Sequence, residues 1–102
     1  MVEKKLYGAI GLARRAGKCI TGDFVVERAL KAKKTMYIII DDTASGATKA
    51  RYRALCERMD VPYMELAGLG LAIGKPGNKV AAVTDGNFAG MIGGLLEKTE
   101  GT

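Results

Sequence analysis

"TGDFVVERALKAKKTMYIII", residues 21–40, changes character three times, and those changes set the fold class. It opens on a turn-like Thr-Gly-Asp. Thr21 offers a helix-capping oxygen, and Asp23 places a negative charge in the first turn, where the helix dipole favours it. Val26, Ala29 and Leu30 recur at helical spacing as a buried stripe, which predicts a helix to about Lys33. Phe24, Arg28 and Lys31, spaced i, i+4, i+7, share a different face. The stretch closes on Thr35–Ile40, TMYIII, a run without polar alternation that suits a strand covered on both sides. Asp41 and Asp42 end it.

The flanking sequence supplies that cover. Upstream, Leu6, Ala9, Ile10 and Ala13 predict a helix over residues 3–15, with Arg14 and Arg15 in its last turn and Gly17 as a left-handed stop. A short strand is expected around Lys18–Ile20. Downstream, Thr43 or Ser45 caps a helix to about Arg58, whose inner face is predicted to include Ala47, Ala50, Ala54 and Leu55. A strand over Val61–Met64 follows, with Pro62 near its beginning. A short helix over Ala67–Ile73, a GKPGN turn and a strand over Lys79–Val83 come next. Thr84 or Asp85 then caps a final helix to about Glu97, weakened by Gly90, Gly93 and Gly94. Helices and strands thus alternate throughout, which predicts an α/β fold with a central sheet between two helical layers. With 102 residues and no linker or repeat, the chain is expected to form one domain with a frayed Gly101-Thr102 tail.

Composition narrows the function classes. Hydrophobic residues make up 48% of the chain, enough for a core. No apolar run exceeds about half a dozen residues, short of the ~20 that span a bilayer, and the basic N-terminus lacks a signal-peptide pattern. A cytoplasmic protein without a membrane partner is expected. Cys19 and Cys56 have no metal-like spacing, and the chain has no histidine, which weakens zinc sites and imidazole chemistry. Two reduced, partly buried thiols are expected. Residues 1–58 carry 13 Lys or Arg against 6 Asp or Glu, a balance of +7; residues 59–102 carry 3 against 5, or −2. Such asymmetry fits either a solvated surface or a nucleic-acid-binding face.

Motifs for catalysis are absent. GLARRAGKC, residues 11–19, resembles a phosphate loop but has five residues between its glycines, Cys19 in place of Ser or Thr, and a helix before it. Gly68-Leu69-Gly70 with Gly74 lacks dinucleotide spacing. Adjacent strand residues point to opposite faces, so Asp41 and Asp42 suit capping better than acid–base work. No enzyme and no cofactor are nominated. The remaining signal is basic: Arg14, Arg15, Lys18, Arg28, Lys31, Lys33 and Lys34 lie close together in sequence. Phosphate is the common partner for such a group, and the amides near Gly22 can approach it closely. Glu27–Lys31 reads as an ordinary i, i+4 pair. A first-turn aromatic such as Phe24 ordinarily packs inward; an outward ring could stack on a splayed base.

The segment IGLARRAGKCITGDFVVERALKAKKTMYIIIDDTASGATKARYRALCERMDVPY, followed by LGLAIGKPGNKVAAVTDGNFA, resembles the bacterial YlxQ-type branch of the ribosomal L-seven-Ae / L-thirty-e family of kink-turn RNA binders. The similarity spans roughly residues 5–92. It is carried by GLARRAGK, the Gly22–Lys31 helix start, the strand ending in Asp, LCERMDVPY, and LGLAIGK with VAAVTD. The resemblance implies a three-layer α/β/α sandwich with a mixed four-stranded sheet. It further implies a non-enzymatic, monomeric binder of structured RNA, such as ribosomal or kink-turn-like RNA. Gly22, Asp23, Phe24, Arg28 and Lys31 would form one contact wall, and Gly74, Lys75 and Pro76 in the Ile73–Asn78 loop another; Arg14, Arg15 and Lys18 would extend the positive field. The family's reading helix usually begins Gly-x-Asn-Glu, with Lys three residues on. Here Gly22 keeps the glycine and Arg28 takes the lysine position, but Phe24 and Val25 replace Asn-Glu and cannot hydrogen-bond to sheared G·A pairs. That replacement leaves a second possibility, a protein-interaction module of the translation or transcription machinery.

Overall fold

In the computed structural model, which describes the backbone of residues 2–100 and side chains within residues 4–96, the elements alternate as expected. They are α1 (Val2–Arg15), β1 (Cys19–Thr21), α2 (Asp23–Lys31), β2 (Tyr37–Asp41), α3 (Gly46–Met59), β3 (Tyr63–Leu66), α4 (Leu69–Ala72), β4 (Val80–Val83) and α5 (Gly86–Glu100). The Gly101-Thr102 tail expected to fray lies outside the described residues.

The four strands form one mixed sheet in the order β1-β4-β2-β3. Only β2 and β3 run parallel, with Ile39 opposite Met64; β4 is antiparallel to β1 and β2. All five β2 residues are buried, because the strand lies inside the sheet and side chains alternate between its faces. Tyr37 and Ile39 join Ala81, Val83, Met64 and Leu66 in the core beneath α1, α4 and α5. Ile38 and Ile40 join Val80 and Ala82 beneath α2 and α3. Each fully buried isoleucine contributes about 1.5–3 kcal/mol relative to exposure, so a missing polar alternation in TMYIII is what a three-layer α/β/α sandwich requires.

Helix boundaries follow local chemistry. Gly17 stops α1 at a φ of 73°. Ser45 caps α3, its side chain accepting from the Thr48 amide, and left-handed Asp60 closes that helix. The Asp85 carboxylate accepts from the Phe88 N–H at 3.0 Å, at the start of α5. Among the described residues no helix is long and apolar enough to cross a membrane. Cys19 and Cys56 are free and buried.

Two expectations need correction. Thr21 does not cap α2: it ends β1, and Gly22 occupies the cap position at φ 101° with no side-chain cap. Glycine adopts that backbone conformation without a Cβ penalty. The inner face of α3 is not its alanine stripe. Ala47, Ala50 and Ala54 are exposed, whereas Tyr52, Leu55 and Cys56 are buried. Turning the larger side chains inward removes more apolar surface from water than burying methyl groups would.

Candidate nucleic-acid interface

β1 and β4 bring two distant segments together. The Gly22 N–H donates to the Val80 carbonyl at 2.9 Å, so the start of α2 is fastened to the end of the loop before β4. An open cavity of about 660 Å³ lies at this junction. Asp23 contributes from α2, Thr43, Ala44, Ser45 and Thr48 from the start of α3, and Lys75 through Val80 from the loop and β4. The starts of α2 and α3 therefore border one concavity, and each helix start carries a partial positive charge that favours anions.

The loop has a built conformation. Gly74 and Gly77 take φ values of 72° and 87°, which favour glycine. The Lys75 amide donates to the Gly70 carbonyl at 2.8 Å, and the Asn78 amide to the Lys75 carbonyl at 3.1 Å. Gly70 lies beneath this turn: a Cβ there would sit 2.9 Å from the Lys75 carbonyl oxygen and 3.1 Å from the Gly77 nitrogen. Glycine at residue 70 therefore lets the loop close onto α4.

Asp41 is the underlying strut. Its side chain is buried at the end of β2, where Oδ1 accepts from the Leu69 amide at 3.0 Å and Oδ2 from the Thr43 amide at 3.0 Å. The Thr43 hydroxyl also donates to it, and Lys79 Nζ donates to the Thr43 hydroxyl. Burial pushes the Asp41 carboxyl up, but the Thr43 and Leu69 hydrogen bonds and nearby Lys79 together hold it below the usual carboxylate range. The expectation that Asp41 serves in capping is met at the first amide of α4 and at the Thr43 turn, while Ser45 caps α3.

Asp23 is tied to α3. Arg51 donates to its Oδ2 at 2.7 Å, and the buried Tyr52 hydroxyl donates to its Oδ1 at 2.6 Å and its carbonyl at 2.9 Å. The Arg51 hydrogen bond is the main reason the Asp23 carboxyl sits below its ordinary value, with Tyr52 assisting against partial desolvation. Arg51 also donates to Glu27, which accepts from Lys31 at 3.2 Å. This network orients α2 and offsets the negative charge of Asp23 at the cavity.

The structure divides the sequence-expected residues among four places. Asp23, Lys75 and Pro76 line the cavity, Gly22 hinges its edge and Gly74 opens its loop. Phe24 and Arg28 lie instead on the outer flank of α2, in a separate groove with Val25 and Lys34. Phe24 is 75% exposed, contrary to the inward packing usual for its position. Lys31 pairs with Glu27 and borders a depression with Leu55, Arg58 and Met59, so it does not share the Phe24–Arg28 groove. Lys18 lies at the opposite end of β1 from Gly22, its carbonyl accepting from Thr84, with Arg14 and Arg15 just before it. The basic residues thus do not converge on a single corner. Sequence reasoning missed Thr43 and Ser45 as cavity residues because a capping role accounted for them locally; Thr48 carried no signal of its own, and Lys79 was hidden at a strand start.

Comparison with known proteins shows the family and the fold. A model of the ribosomal protein L7Ae/L30e/S12e/Gadd45 family matches residues 4–90. The RNA-binding protein YlxQ of Bacillus subtilis (strain 168) is 33% identical over 94 residues, covering 89% of this chain and 94% of that protein. The RNA-binding protein YlxQ of Enterococcus faecium is 34% identical over 97 residues, covering 92% and 93%. A solved structure of a protein with unknown function from Bacillus halodurans C superposes with a TM-score of 0.86 at 28% identity, covering 91% of this chain and 97% of that one.

Proposed function

We infer an RNA-binding role from one premise: the chain belongs to the ribosomal protein L7Ae/L30e/S12e/Gadd45 family. The observation that carries the role is the cavity where the glycine-started α2 meets the Gly74–Asn78 loop, with Lys75 and Lys79 beside two helix starts. A bent phosphate backbone fits this arrangement. Backbone amides at the start of α2 can donate to phosphate oxygens, and Lys75 and Lys79 supply charge, while Gly74 and Pro76 shape the loop against the strand. The names of the two YlxQ relatives support RNA as the ligand.

In this reading the protein acts as a monomer in the cytoplasm, without a cofactor, and binds structured ribosomal or kink-turn-like RNA rather than transforming it. Recognition rests on shape and backbone, because Phe24 and Val25 offer no hydrogen bonds to base edges. Arg14, Arg15, Lys18, Arg28 and Lys31 supply long-range attraction rather than direct contacts.

Filter binding with kink-turn, duplex and single-stranded RNAs over a salt series tests the role. Lys75→Ala and Lys79→Ala should each lower the salt slope by about 1, with the bent RNA bound best. Absence of binding to all three RNAs at low salt refutes RNA binding. Unchanged slopes in both variants refute this site.

A further inference from the structure

We propose that the outer flank of α2 is a docking groove for an acidic, amphipathic segment of a partner protein. α2 carries two apolar faces. Val26 and Leu30 are fully buried against the sheet and account for folding. Phe24 and Val25 are 75% and 50% exposed and contribute little to it. With Arg28, Ala29, Ala32 and Lys34 they line an open groove of about 250 Å³, separate from the cavity at the start of the helix.

The form of the groove favours a side-chain anchor. Ala29 and Ala32 give a shallow floor beside Phe24 and Val25, of a size to take one leucine or phenylalanine. Its far end is fixed by backbone: Lys33 turns the chain at φ 61°, and the Lys34 amide donates to the Ala29 carbonyl at 2.9 Å, returning Lys34 to the groove.

Charge selects the occupant. The acids of α2, Asp23 and Glu27, are engaged with Arg51 on the α3 side, and Glu27 also holds Lys31. Among the described residues no carboxylate lines the groove. Among the described residues Arg28 and Lys34 form no ion pair. An apolar floor with unpaired cations complements carboxylates flanking an apolar anchor. RNA fits less well, because stacking needs a succession of flat groups and the groove has a single ring among aliphatic side chains.

The test is an amide-shift NMR titration of the full chain with a synthetic helical peptide bearing leucines at i, i+3 and i+4, flanked by glutamates. Matched peptides replace glutamates by lysines or leucines by serines, and the three RNAs are titrated separately. The acidic peptide should bind at roughly millimolar Kd or tighter, moving residues 24–34 but not 43–48 or 75–80, while both control peptides fail. Phe24→Ser and Val25→Ser should each weaken the peptide roughly tenfold, and Val25→Ser should leave RNA affinity within about twofold. Three results overturn the proposal: no shifts at millimolar acidic peptide, equal binding of the lysine peptide, or an RNA that moves residues 24–34 and is weakened by the serine variants. The last would make the flank an RNA wall.

Discussion

Removing the Tyr52 hydroxyl tests whether α3 holds the start of α2 in place. The ring is fully buried, and its oxygen lies 2.9 Å from the Asp23 carbonyl and 2.6 Å from Oδ1. Tyr52→Phe leaves the ring's packing and deletes both hydrogen bonds. A hydrogen bond to a charged group contributes about 1.5–3 kcal/mol. The Asp23 side chain is 51% exposed, so water replaces part of what is lost and the lower end applies. We expect a loss of about 1.5 kcal/mol at pH 7, or a fall in Tm of roughly 6–12 °C. The pH dependence has a defined sign. The folded-state pKa of Asp23 is lowered, chiefly by Arg51 and also by Tyr52. Its stabilising contribution is therefore fully present above the unfolded value near pH 4 and disappears as pH falls through the folded value. The gap between wild type and Tyr52→Phe should accordingly narrow below about pH 4. Thermal melts by circular dichroism across this range provide the measurement. A variant that melts within about 2 °C of wild type at pH 7 would refute the clamp. So would a gap equally wide at about pH 3.

Other substitutions probe the cavity's frame. Asp41→Asn turns a double acceptor into a group with a misplaced donor, and should cost about 1.5–3 kcal/mol by chemical denaturation at pH 7. Because the Asp41 carboxyl is held low in the folded state, that difference should persist above about pH 4 and shrink below it. Gly70→Ala drives a methyl group against the Lys75 carbonyl and the Gly77 nitrogen, so the loop must move. It should destabilise by about 1–3 kcal/mol and weaken RNA binding, and crystallography of the variant should show the Lys75–Gly77 turn displaced. Burial raises the pKa of Cys19 and pushes Cys56 up to about 11. Native protein at neutral pH should therefore resist Ellman's reagent, and both thiols should react after denaturation.

The layered fold was legible because its signals are local. TMYIII announced a strand covered on both faces, Ser45 a cap and Gly17 a stop, and each signal acts within a few residues. The orientation of α3 was not legible. Its alanines have helical spacing, but burying the larger Tyr52 ring removes more apolar surface, and Asp23, distant in sequence, accepts the hydroxyl that goes in with it. For the same reason Phe24, Arg28 and Lys31 looked like one face on spacing alone. Arg51 draws Glu27 toward α3 and Lys31 follows its ion pair, while Phe24 and Arg28 remain on the outer flank. The two segments around the cavity were suggested by the family resemblance rather than by periodicity. What joins them is the hydrogen bond from Gly22 to Val80, a contact that sequence spacing does not reveal.

The position of β4 has a consequence during synthesis. β1 pairs with no other strand, and β4 is made after every other strand of the sheet. As the polypeptide leaves the ribosome, Gly22 emerges long before the Gly74–Asn78 loop, and the segment that ties them together follows both. A nascent chain stalled ahead of Val80 can form helices but has no means of holding the two rims of the cavity in register. With the proposed site at this cavity, ligand recognition would arrive late in translation and all at once, so a truncated product would not compete with the finished protein for its target.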